Sequence, residues 1–516
     1  YPDDHRDDRQ CDASLSFYTF SVYAASSFEL LREKIVFPQH LESRADTGES
    51  VVRISDDIVL NLEKTSLFGD EIAVVSFDED GNEKALIMPG REAEKDLYHD
   101  QRKLAAVHLT HDGGFQVEGV VGPRHRIRPL LEAERSSDGH VAHLLFEIEP
   151  NRDSYPESSL QLISENMNER EEHRGLALEK PQPEARYRDA IIPEITIFAD
   201  APFSKFFSYN ELKVQRYLAV MITCVNLRFR SVQNPFVWIR PTNIVMLNVA
   251  KETFMALSGP LRVYDKRTLE NIPRKMHRDI IRYYKETDLT MTVTARELIN
   301  SNGDPFPAGY AMTGTACTAY KVGIAEDQPG TYNGVETLAH EIAHVLGARH
   351  DGDPPIPGIH GHPGAYACPS SHGYIMSYVS RDERQFRFST CTLQQIGFMA
   401  HYEGRNCLLK INVRKKIRHT FKLPSQMIKL DNYCKHIDKE NRLLEYYQPT
   451  RSNNAPPCKV YCRKPNSFTY WIYKTPDGFA CNGGRKGVCI MGVCKQRPDI
   501  KALYKDAYAR VPGGVV

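Results

Sequence analysis

The stretch His340-Glu341-Ile342-Ala343-His344-Val345-Leu346-Gly347-Ala348-Arg349-His350-Asp351 is the most informative part of this sequence. Apolar residues at helical spacing predict a helix over 335–346, and side chains four positions apart lie on one face of a helix. His340 and His344 can therefore bind one metal ion, while Glu341 lies one step round the helix, within reach of a water molecule on that metal.

Gly347 permits the positive φ that ends a helix and turns the chain, so His350 can return as a third ligand. Three protein ligands and one open position are typical of catalytic zinc, whereas structural zinc sites are closed. Such a site can activate water for attack on a peptide carbonyl, with Glu341 accepting the proton. The alternative is an amphipathic core helix, which does not explain the third histidine beyond the turn.

A second element follows downstream, where Met376 lies in His372-Gly373-Tyr374-Ile375-Met376-Ser377-Tyr378. The pattern HExxHxxGxxH followed by such a methionine resembles the metzincin signature. In that reading Met376 is an apolar floor beneath the three histidines; by itself it would be read as ordinary core packing.

The chain further resembles the adamalysin/reprolysin branch of the metzincins, most closely the secreted salivary or venom metalloproteases of arthropods such as ticks. An aspartate after the third histidine carries this resemblance, together with a glutamate, an aspartate and a cleft segment upstream: Asp351, Glu194, Asp288 and 309–317. The likeness is strong over 190–410. It implies a metzincin catalytic domain of the α/β (α+β) class with a central mixed sheet, a catalytic zinc ion and a zymogen form.

The resemblance also implies two disulfides, Cys317 with Cys407 and Cys368 with Cys391. Relatives often bind calcium through a glutamate, an aspartate and an asparagine three residues after the last cysteine. Glu194 and Asp288 match this set, but Lys410 occupies the third position. Because an ammonium there could neutralise both carboxylates, we expect the calcium site to be empty.

Composition limits the function classes. The 516 residues suggest about three domains, because single cores stop growing near ~250–300 residues. Lys+Arg and Asp+Glu both total 66, so no overall charge favours nucleic acid or membrane as a partner.

No apolar run approaches the ~20 residues of a transmembrane helix, and Tyr217–Val225 is predicted to be a buried helix or strand. Six cysteines between 434 and 494 predict an oxidised module, and hence a secreted, extracellular protein.

Five segments are predicted along the chain: a mainly β pro-domain with a polar linker (1–188), the metalloprotease domain (189–410), a basic connector (411–430), a small disulfide-rich module (431–498) and a tail (499–516). Strands are expected at 58–62, 72–77, 143–148, 191–198, 241–249 and 289–293, and helices near 209–228 and 268–285. A cleft-lining edge strand is expected over 309–322. Residues 414–422 are a solvated connector or, alternatively, a matrix or glycosaminoglycan contact.

The leading hypothesis is a secreted zinc endopeptidase that cleaves extracellular proteins, such as matrix or haemostatic proteins. A non-enzymatic binding protein that uses the cysteine-rich module is the main alternative, and a zinc hydrolase of non-peptide substrates is another. Latency is an open question, because no cysteine lies between residues 12 and 223 to block the metal. A pro-domain carboxylate, a histidine or steric cover could replace it. Cleavage at Arg186-Tyr187-Arg188 and the pairing of Cys11, Cys224 and the last six cysteines also stay open.

Overall fold

The computed structural model describes residues 30–44, 49–78, 81–148, 190–230, 235–305, 308–377, 379, 382–410, 429–437, 444–447, 458–467, 469–475, 479–481, 487–490 and 493–496. The predicted linker and cleavage site, Cys11, most of the basic connector and the tail lie outside these residues. No helix in the described part of the chain has both the length and the apolar character needed to cross a bilayer.

Residues 30–148 are rich in strands and contain one short helix, Gly90–Ala93. In chain order the strands are β1 (Leu30–Val36), β2 (Gln39–Arg44), β3 (Glu49–Arg53), β4 (Val59–Lys64), β5 (Glu71–Phe77), β6 (Glu83–Pro89), β7 (Leu97–Asp100), β8 (Ala105–Thr110), β9 (Gln116–Val120), β10 (His125–Pro129) and β11 (His143–Ile148). All but β5 and β6 form one sheet, in the order β1-β11-β10-β9-β8-β7-β4-β3-β2. This agrees with the predicted mainly β character of the N-terminal part.

Residues 190–410 alternate strands and helices, as predicted. The strands are β12 (Ala190–Ile191), β13 (Glu194–Ala199), β14 (Phe236–Val237), β15 (Arg240–Met246), β16 (Arg262–Tyr264), β17 (Leu289–Thr294), β18 (Glu297–Ile299), β19 (Gly309–Ala311) and β20 (Val322–Glu326). The α-helices are Ala201–Phe206, Glu211–Phe229, Asp265–Lys275, Ile281–Lys285, Val335–Val345 and Thr390–His401, and short 3-10 helices span Ser370–His372, Glu383–Phe386 and Asn406–Leu409.

The central sheet has the order β19-β20-β17-β13-β15-β5-β6. Its inner strands run parallel, and the two end strands, β19 and β6, run antiparallel to their neighbours. Every residue of β13 and of β17 is buried, as expected for parallel strands that are covered on both faces. The sheet is therefore mixed, in agreement with the predicted fold class.

Two strands of the predicted pro-domain belong to this central sheet. Ala73, Val74 and Val75 of β5 pair in parallel with Asn243, Ile244 and Val245 of β15. The division that the sequence predicts at residue 188 is therefore not a division between separate sheets. Periodicity predicts that a segment is a strand, but the sheet it joins depends on long-range pairing that periodicity does not carry.

Two other expectations need correction. The edge strand predicted over 309–322 covers only Gly309–Ala311, because the chain then turns at Gly314 and Cys317, both with positive φ. The helix predicted near 268–285 is divided into Asp265–Lys275 and Ile281–Lys285, since Met276 adopts an extended conformation after the first of them.

The helix Glu211–Phe229, called the long helix below, begins at Asn210, whose side chain accepts a hydrogen bond from the Lys213 amide. Its apolar segment Tyr217–Val225 is buried, because the long helix lies between the helix Val335–Val345 on one side and strands β7, β8 and β9 of the N-terminal sheet on the other. The buried helix or strand that the sequence predicts here is a buried helix.

The described residues of the C-terminal module include the helix Leu430–Ile437 and two small sheets. The first contains β21 (Glu445–Tyr447), β22 (Lys459–Arg463) and β23 (Tyr470–Lys474), and the second contains β24 (Ala480–Cys481), β25 (Gly487–Ile490) and β26 (Val493–Gln496). Its six cysteines form the pairs Cys434–Cys462, Cys458–Cys489 and Cys481–Cys494. The disulfide-rich character of this region is confirmed.

Candidate metal centre

The helix Val335–Val345, called the site helix below, carries the first two histidines. The chain before it is fixed by Asp327, whose side chain accepts a hydrogen bond from the Gly334 amide at 2.9 Å. The Leu338 amide donates to the Gly334 carbonyl and starts the helical ladder. The predicted helix, over 335–346, agrees with the observed one to within a residue.

The site helix ends in a two-hydrogen-bond turn around Gly347. The Gly347 amide donates to the His344 carbonyl at 2.8 Å, and the Ala348 amide donates to the Ala343 carbonyl at 2.9 Å. Gly347 has a φ of 107°, which is the glycine-favouring region that the sequence predicts. A Cβ at this position would lie 2.2 Å from Cγ of Met399. Any other residue would therefore be disfavoured both by its backbone conformation and by this steric clash.

This turn brings three imidazoles together. Nε2 of His350 lies 3.1 Å from Nε2 of His340 and 3.2 Å from Nε2 of His344. The three histidines form the group in the described chain whose nitrogen atoms could hold one metal ion, and no fourth histidine, cysteine or carboxylate of the described residues joins it. The structure thus places the three predicted ligands around one point.

The protonation of these rings is defined by the backbone. Nδ1 of His340 lies 3.0 Å from the Ile375 carbonyl, and Nδ1 of His344 lies 2.8 Å from the Ala348 carbonyl. A carbonyl can only accept, so each Nδ1 carries the proton and each Nε2 presents a lone pair. Both lone pairs lie about 3 Å from Nε2 of His350, and three imidazole nitrogens this close together fit one bound metal ion.

Burial supports the same conclusion. It lowers the pKa of His340 to about 4 and lowers those of His344 and His350 well below their usual value. Neutral imidazole is the form that binds metal. The rings are therefore held in the ligating form at neutral pH.

Glu341 lies on the site helix beneath the edge strand β19. It is 2% exposed, and a Cβ placed on Gly309 would lie 2.7 Å from its Cγ and from its Oε1. Only glycine lets the edge strand approach this carboxylate so closely. Burial raises the pKa of Glu341 well above its usual value, whereas a cation beside it would favour the ionised form. The role of Gly309 has no local signature in the sequence and was not predicted.

Met376 is fully buried in the core that includes the site helix. The residue before it supplies the carbonyl that holds His340, and the carbonyl of Met376 itself accepts a hydrogen bond from the Asp351 amide at 2.7 Å. The methionine turn thus fixes the ring of His340 and the backbone of Asp351. These contacts are in addition to the packing beneath the histidines that the resemblance implies for Met376.

Asp351 anchors the loop that carries the third histidine. Its Oδ1 accepts a hydrogen bond from the Ser389 hydroxyl at 2.6 Å, and Ser389 in turn caps the helix Thr390–His401. Burial raises the pKa of Asp351 to about 6, although the hydrogen bond from Ser389 opposes the rise. Asp351 thus connects the third-ligand loop to the start of that helix.

His362 has a part in the site that sequence reasoning did not assign. Its Nδ1 accepts hydrogen bonds from the amides of Ile356 and Gly364, both at 3.2 Å, and its Nε2 donates to the Gly347 carbonyl at 3.0 Å. His360 and His372, which lie in the same part of the sequence, are exposed. His362 instead supports the turn that carries the third ligand. The Gly/Pro-rich sequence around it gave no signal that would separate it from its neighbours.

Replacement of His362 by Gln is expected to lower the free energy of unfolding by about 2 kcal/mol at pH 7, because buried hydrogen bonds each contribute about 1 kcal/mol. Burial lowers the pKa of His362 to about 4, below its unfolded value near 6.5. The folded wild type thus loses stability from this residue as the pH falls from about 6.5 to 4, and Gln does not. Urea unfolding at pH 7 and pH 5 should show the gap between the two proteins narrowing in acid; a constant gap would contradict the assigned protonation.

Glu194 and Asp288 lie together, as the resemblance implies. The Glu194 amide donates to Oδ2 of Asp288 at 2.9 Å, and burial, assisted by the charge of Glu194, raises the pKa of Asp288 to about 6. The cation that acts electrostatically on Asp288 is Lys321, while Lys410 has an exposed side chain. The neutralising role predicted for Lys410 is thus taken in part by Lys321.

The structure joins Cys317 to Cys407 and Cys368 to Cys391, the two pairs that the resemblance implied. The second bridge ties the segment before the methionine turn to the helix that Ser389 caps. Cys224 is buried in the long helix and has no disulfide among the described residues. Its predicted alternative partner, Cys11, lies outside the described residues.

Comparison with known proteins agrees with this geometry. The sequence profile of metallo-peptidase family M12 (Reprolysin_5) matches residues 193–389. The chain is similar to the venom metalloproteinase antarease TserMP_A of Tityus serrulatus, with 27% identity over 76% of this chain and 97% of that protein. It is also similar to the antarease-like TfasMP_A of Tityus fasciolatus, with 30% identity over 43% of this chain and 98% of that protein. A third relative, BumaMPs1 of Olivierus martensii, is 24% identical over 71% of this chain and 89% of its own length.

The matched profile spans the converging histidines, and TfasMP_A aligns over nearly its whole length. The chain therefore belongs to the reprolysin-type metallo-peptidase family M12 and is a metalloendopeptidase.

Proposed function

We propose that this chain is a secreted zinc endopeptidase that cleaves extracellular proteins, with His340, His344 and His350 as the metal ligands and Glu341 as the general base. The observation that supports this most strongly is the meeting of three Nε2 atoms within about 3 Å, with the buried Glu341 one residue along the site helix from His340. A donor set of three neutral imidazoles suits zinc.

When bound, zinc supplies Lewis-acid polarisation of water and of the scissile carbonyl. The residues of the chain carry out the remaining tasks. The Glu341 carboxylate accepts the proton of the attacking water and then delivers it to the departing amine nitrogen. The carbonyls of Ile375 and Ala348 keep the protons of His340 and His344 on Nδ1, so the ligating nitrogens stay unprotonated.

The edge strand β19 supports a peptide as the substrate. It is the last strand of the central sheet and pairs with β20 on one side. An extended peptide could form backbone hydrogen bonds with its other side and so lie beside Glu341, which packs against Gly309 of the same strand. This arrangement favours endopeptidase action over hydrolysis of small non-peptide substrates.

The disulfides support secretion, because such bridges persist in oxidising compartments. Matrix and haemostatic proteins are the substrate classes that we propose, and relatives named as venom metalloproteinases are consistent with extracellular targets. The contact with matrix or glycosaminoglycan predicted for 414–422 falls on residues that the structure does not describe. The alternative of a non-enzymatic binding protein is not favoured, since the three histidines and Glu341 are intact.

A zymogen form belongs to this proposal. Among the described residues, no side chain of 30–148 reaches the three histidines as a further ligand. A pro-domain carboxylate or histidine as the blocking group would therefore have to come from outside the described residues, or the latent form would depend on steric cover.

Chelation tests the proposal. Casein digested by the purified protein should give internal cleavage products by mass spectrometry, and 1,10-phenanthroline should lower the rate by at least about a hundredfold. One equivalent of zinc added to the dialysed protein should restore the rate, and magnesium should not. Cleavage that persists in protein shown by elemental analysis to be metal-free would contradict the proposed function.

A further inference from the structure

Residues 30–148 make a continuous interface with the catalytic part of the chain. Strand β5 extends the central sheet by parallel pairing with β15. Ile72 and Val74 of β5, and Ala106 and Val120 of the N-terminal sheet, are fully buried in the same core as the site helix. These side chains would become exposed to water if residues 30–148 dissociated.

The N-terminal sheet also covers the long helix. Gly119 of β9 has a φ of 140°, and a Cβ there would lie 3.3 Å from Cγ1 of Val220. His108 Nε2 donates to the Arg216 carbonyl at 3.0 Å, and the Gln215 side-chain amide donates to the Ala93 carbonyl at 3.1 Å. Polar groups that are buried in pairs across an interface are costly to separate, because each is then left without its partner.

Arg126 makes the most extensive polar contact of this interface. Its guanidinium is buried and lies beside the loop that precedes the site helix. Nε donates to the Thr331 carbonyl at 2.9 Å and Nη2 donates to the Tyr332 carbonyl at 3.1 Å, while Nη1 donates to carbonyls of its own segment. One side chain of the N-terminal part thus holds two carbonyls close to the start of the site helix.

The same N-terminal part packs against the C-terminal module. Val51 of β3 is buried with Tyr433, Cys434 and Ile437 of the helix Leu430–Ile437. Lys474 of β23 forms an ion pair with Asp57 at 3.1 Å. Residues 30–148 therefore lie between the module and the catalytic sheet and contact both.

The β5–β15 pairing and the cleft lie towards opposite ends of the central sheet. The edge strand beside Glu341 is β19, whereas β5 and β6 occupy the opposite end. Residues 30–148 can thus stay in place without covering β19. A removable inhibitor would be expected to lie over the cleft and to detach without exposing the core.

We infer that residues 30–148 remain bound, after any cleavage between 149 and 189, as a permanent non-covalent subunit that completes the catalytic sheet and carries the C-terminal module. Maturation would then produce a two-chain protein and not a free catalytic domain. Cleavage at Arg186-Tyr187-Arg188, if it occurs, would free the new end at Asp189 but leave the β5–β15 pairing intact.

The test uses the full chain with a recognition sequence for an exogenous protease in place of residues 160–166. After complete cutting, the two fragments should separate on a non-reducing denaturing gel, which shows that no disulfide joins them. On a native gel-filtration column they should co-elute in a one-to-one ratio. Separation of the fragments on the native column would overturn the inference, whether or not the protein has peptidase activity.

A matched pair of variants identifies the interface. Arg126→Met removes the hydrogen bonds to Thr331 and Tyr332, whereas Arg128→Met alters an exposed arginine of the same strand β10. In the cut protein, Arg126→Met should raise the dissociation constant of the fragments at least about tenfold, and Arg128→Met should leave it unchanged.

If Arg126→Met fails to fold, Val74→Ala, which deletes two buried methyl groups of β5, serves in its place with the same expected direction. Equal dissociation constants for an interface variant and for Arg128→Met would overturn the assigned interface.

Discussion

Replacement of Glu341 by Gln should lower kcat/KM for peptide hydrolysis by about 10³-fold or more while leaving metal content at one ion per chain. General-base catalysis contributes roughly 10²–10⁴-fold, and the amide of Gln cannot accept the proton of water. Metal content should persist because the three imidazoles, and not this carboxylate, surround the metal position. Steady-state kinetics on a quenched peptide, with elemental analysis of the same samples, measures both quantities.

Glu403→Gln is the control for this experiment, because Glu403 is an exposed carboxylate of the same part of the chain. It should leave kcat/KM within about twofold of the wild type, as expected for surface substitutions. The expected result also distinguishes catalysis from folding, since Glu341→Gln removes a buried charge and should not lower the melting temperature. Full turnover in Glu341→Gln would remove Glu341 from the mechanism.

Replacement of Gly347 by Ala should have the largest effect on stability. The residue has a φ of 107°, and the added Cβ would lie 2.2 Å from Cγ of Met399. Adverse backbone conformation costs about 1–2 kcal/mol and overpacking a further 1–3 kcal/mol. We expect a total loss of about 2–5 kcal/mol in the free energy of unfolding, together with a metal content well below one per chain because His350 is displaced.

Gly358→Ala distinguishes the cost of the backbone conformation from the cost of the clash with Met399. Gly358 has a φ of 78° and nothing within 4 Å of the position of a Cβ, so only the conformational cost applies. Its expected loss is about 1 kcal/mol, with full metal content. Urea unfolding and elemental analysis of both variants check the prediction. Equal losses in the two variants would show that contact with Met399 does not restrict the turn.

The site could be predicted from the sequence to an unusual extent because its geometry is local. His340 and His344 are related by one turn of a helix, and Gly347 and His350 follow within six residues, so helical spacing and glycine chemistry are sufficient to bring the rings together. The pairing of Cys317 with Cys407 spans 90 residues and came from the resemblance alone. Local spacing could not have supplied it.

The features that were missed depend on contacts between distant segments. Gly309 is required because Glu341 packs beneath it, and nothing around Gly309 in the sequence shows this. His362 is buried although His360 and His372 are exposed, and all three occur in similar Gly/Pro-rich sequence. The strand at 72–77 was predicted from its apolar pattern, but it pairs with β15, which lies about 170 residues later in the sequence and approaches it only in the folded protein.

The N-terminal part changes how the proposed maturation of this protein should be viewed. A pro-domain that is only a cover can be lost without a structural cost, whereas residues 30–148 share a core with the site helix and hold the loop before it through Arg126. Latency and structural support are therefore separate questions in this chain. The first concerns what would block the three histidines in the proposed zymogen, and the second concerns what keeps the catalytic sheet complete.

X-ray absorption spectroscopy of the purified protein at the zinc edge tests the central claim most directly. We expect one zinc ion per chain with three imidazole nitrogens at about 2.0–2.1 Å and a single oxygen ligand, and we expect this signal to be lost in His350→Ala. Sulfur ligands, fewer than three imidazoles, or a purified active protein without a transition metal would contradict the account.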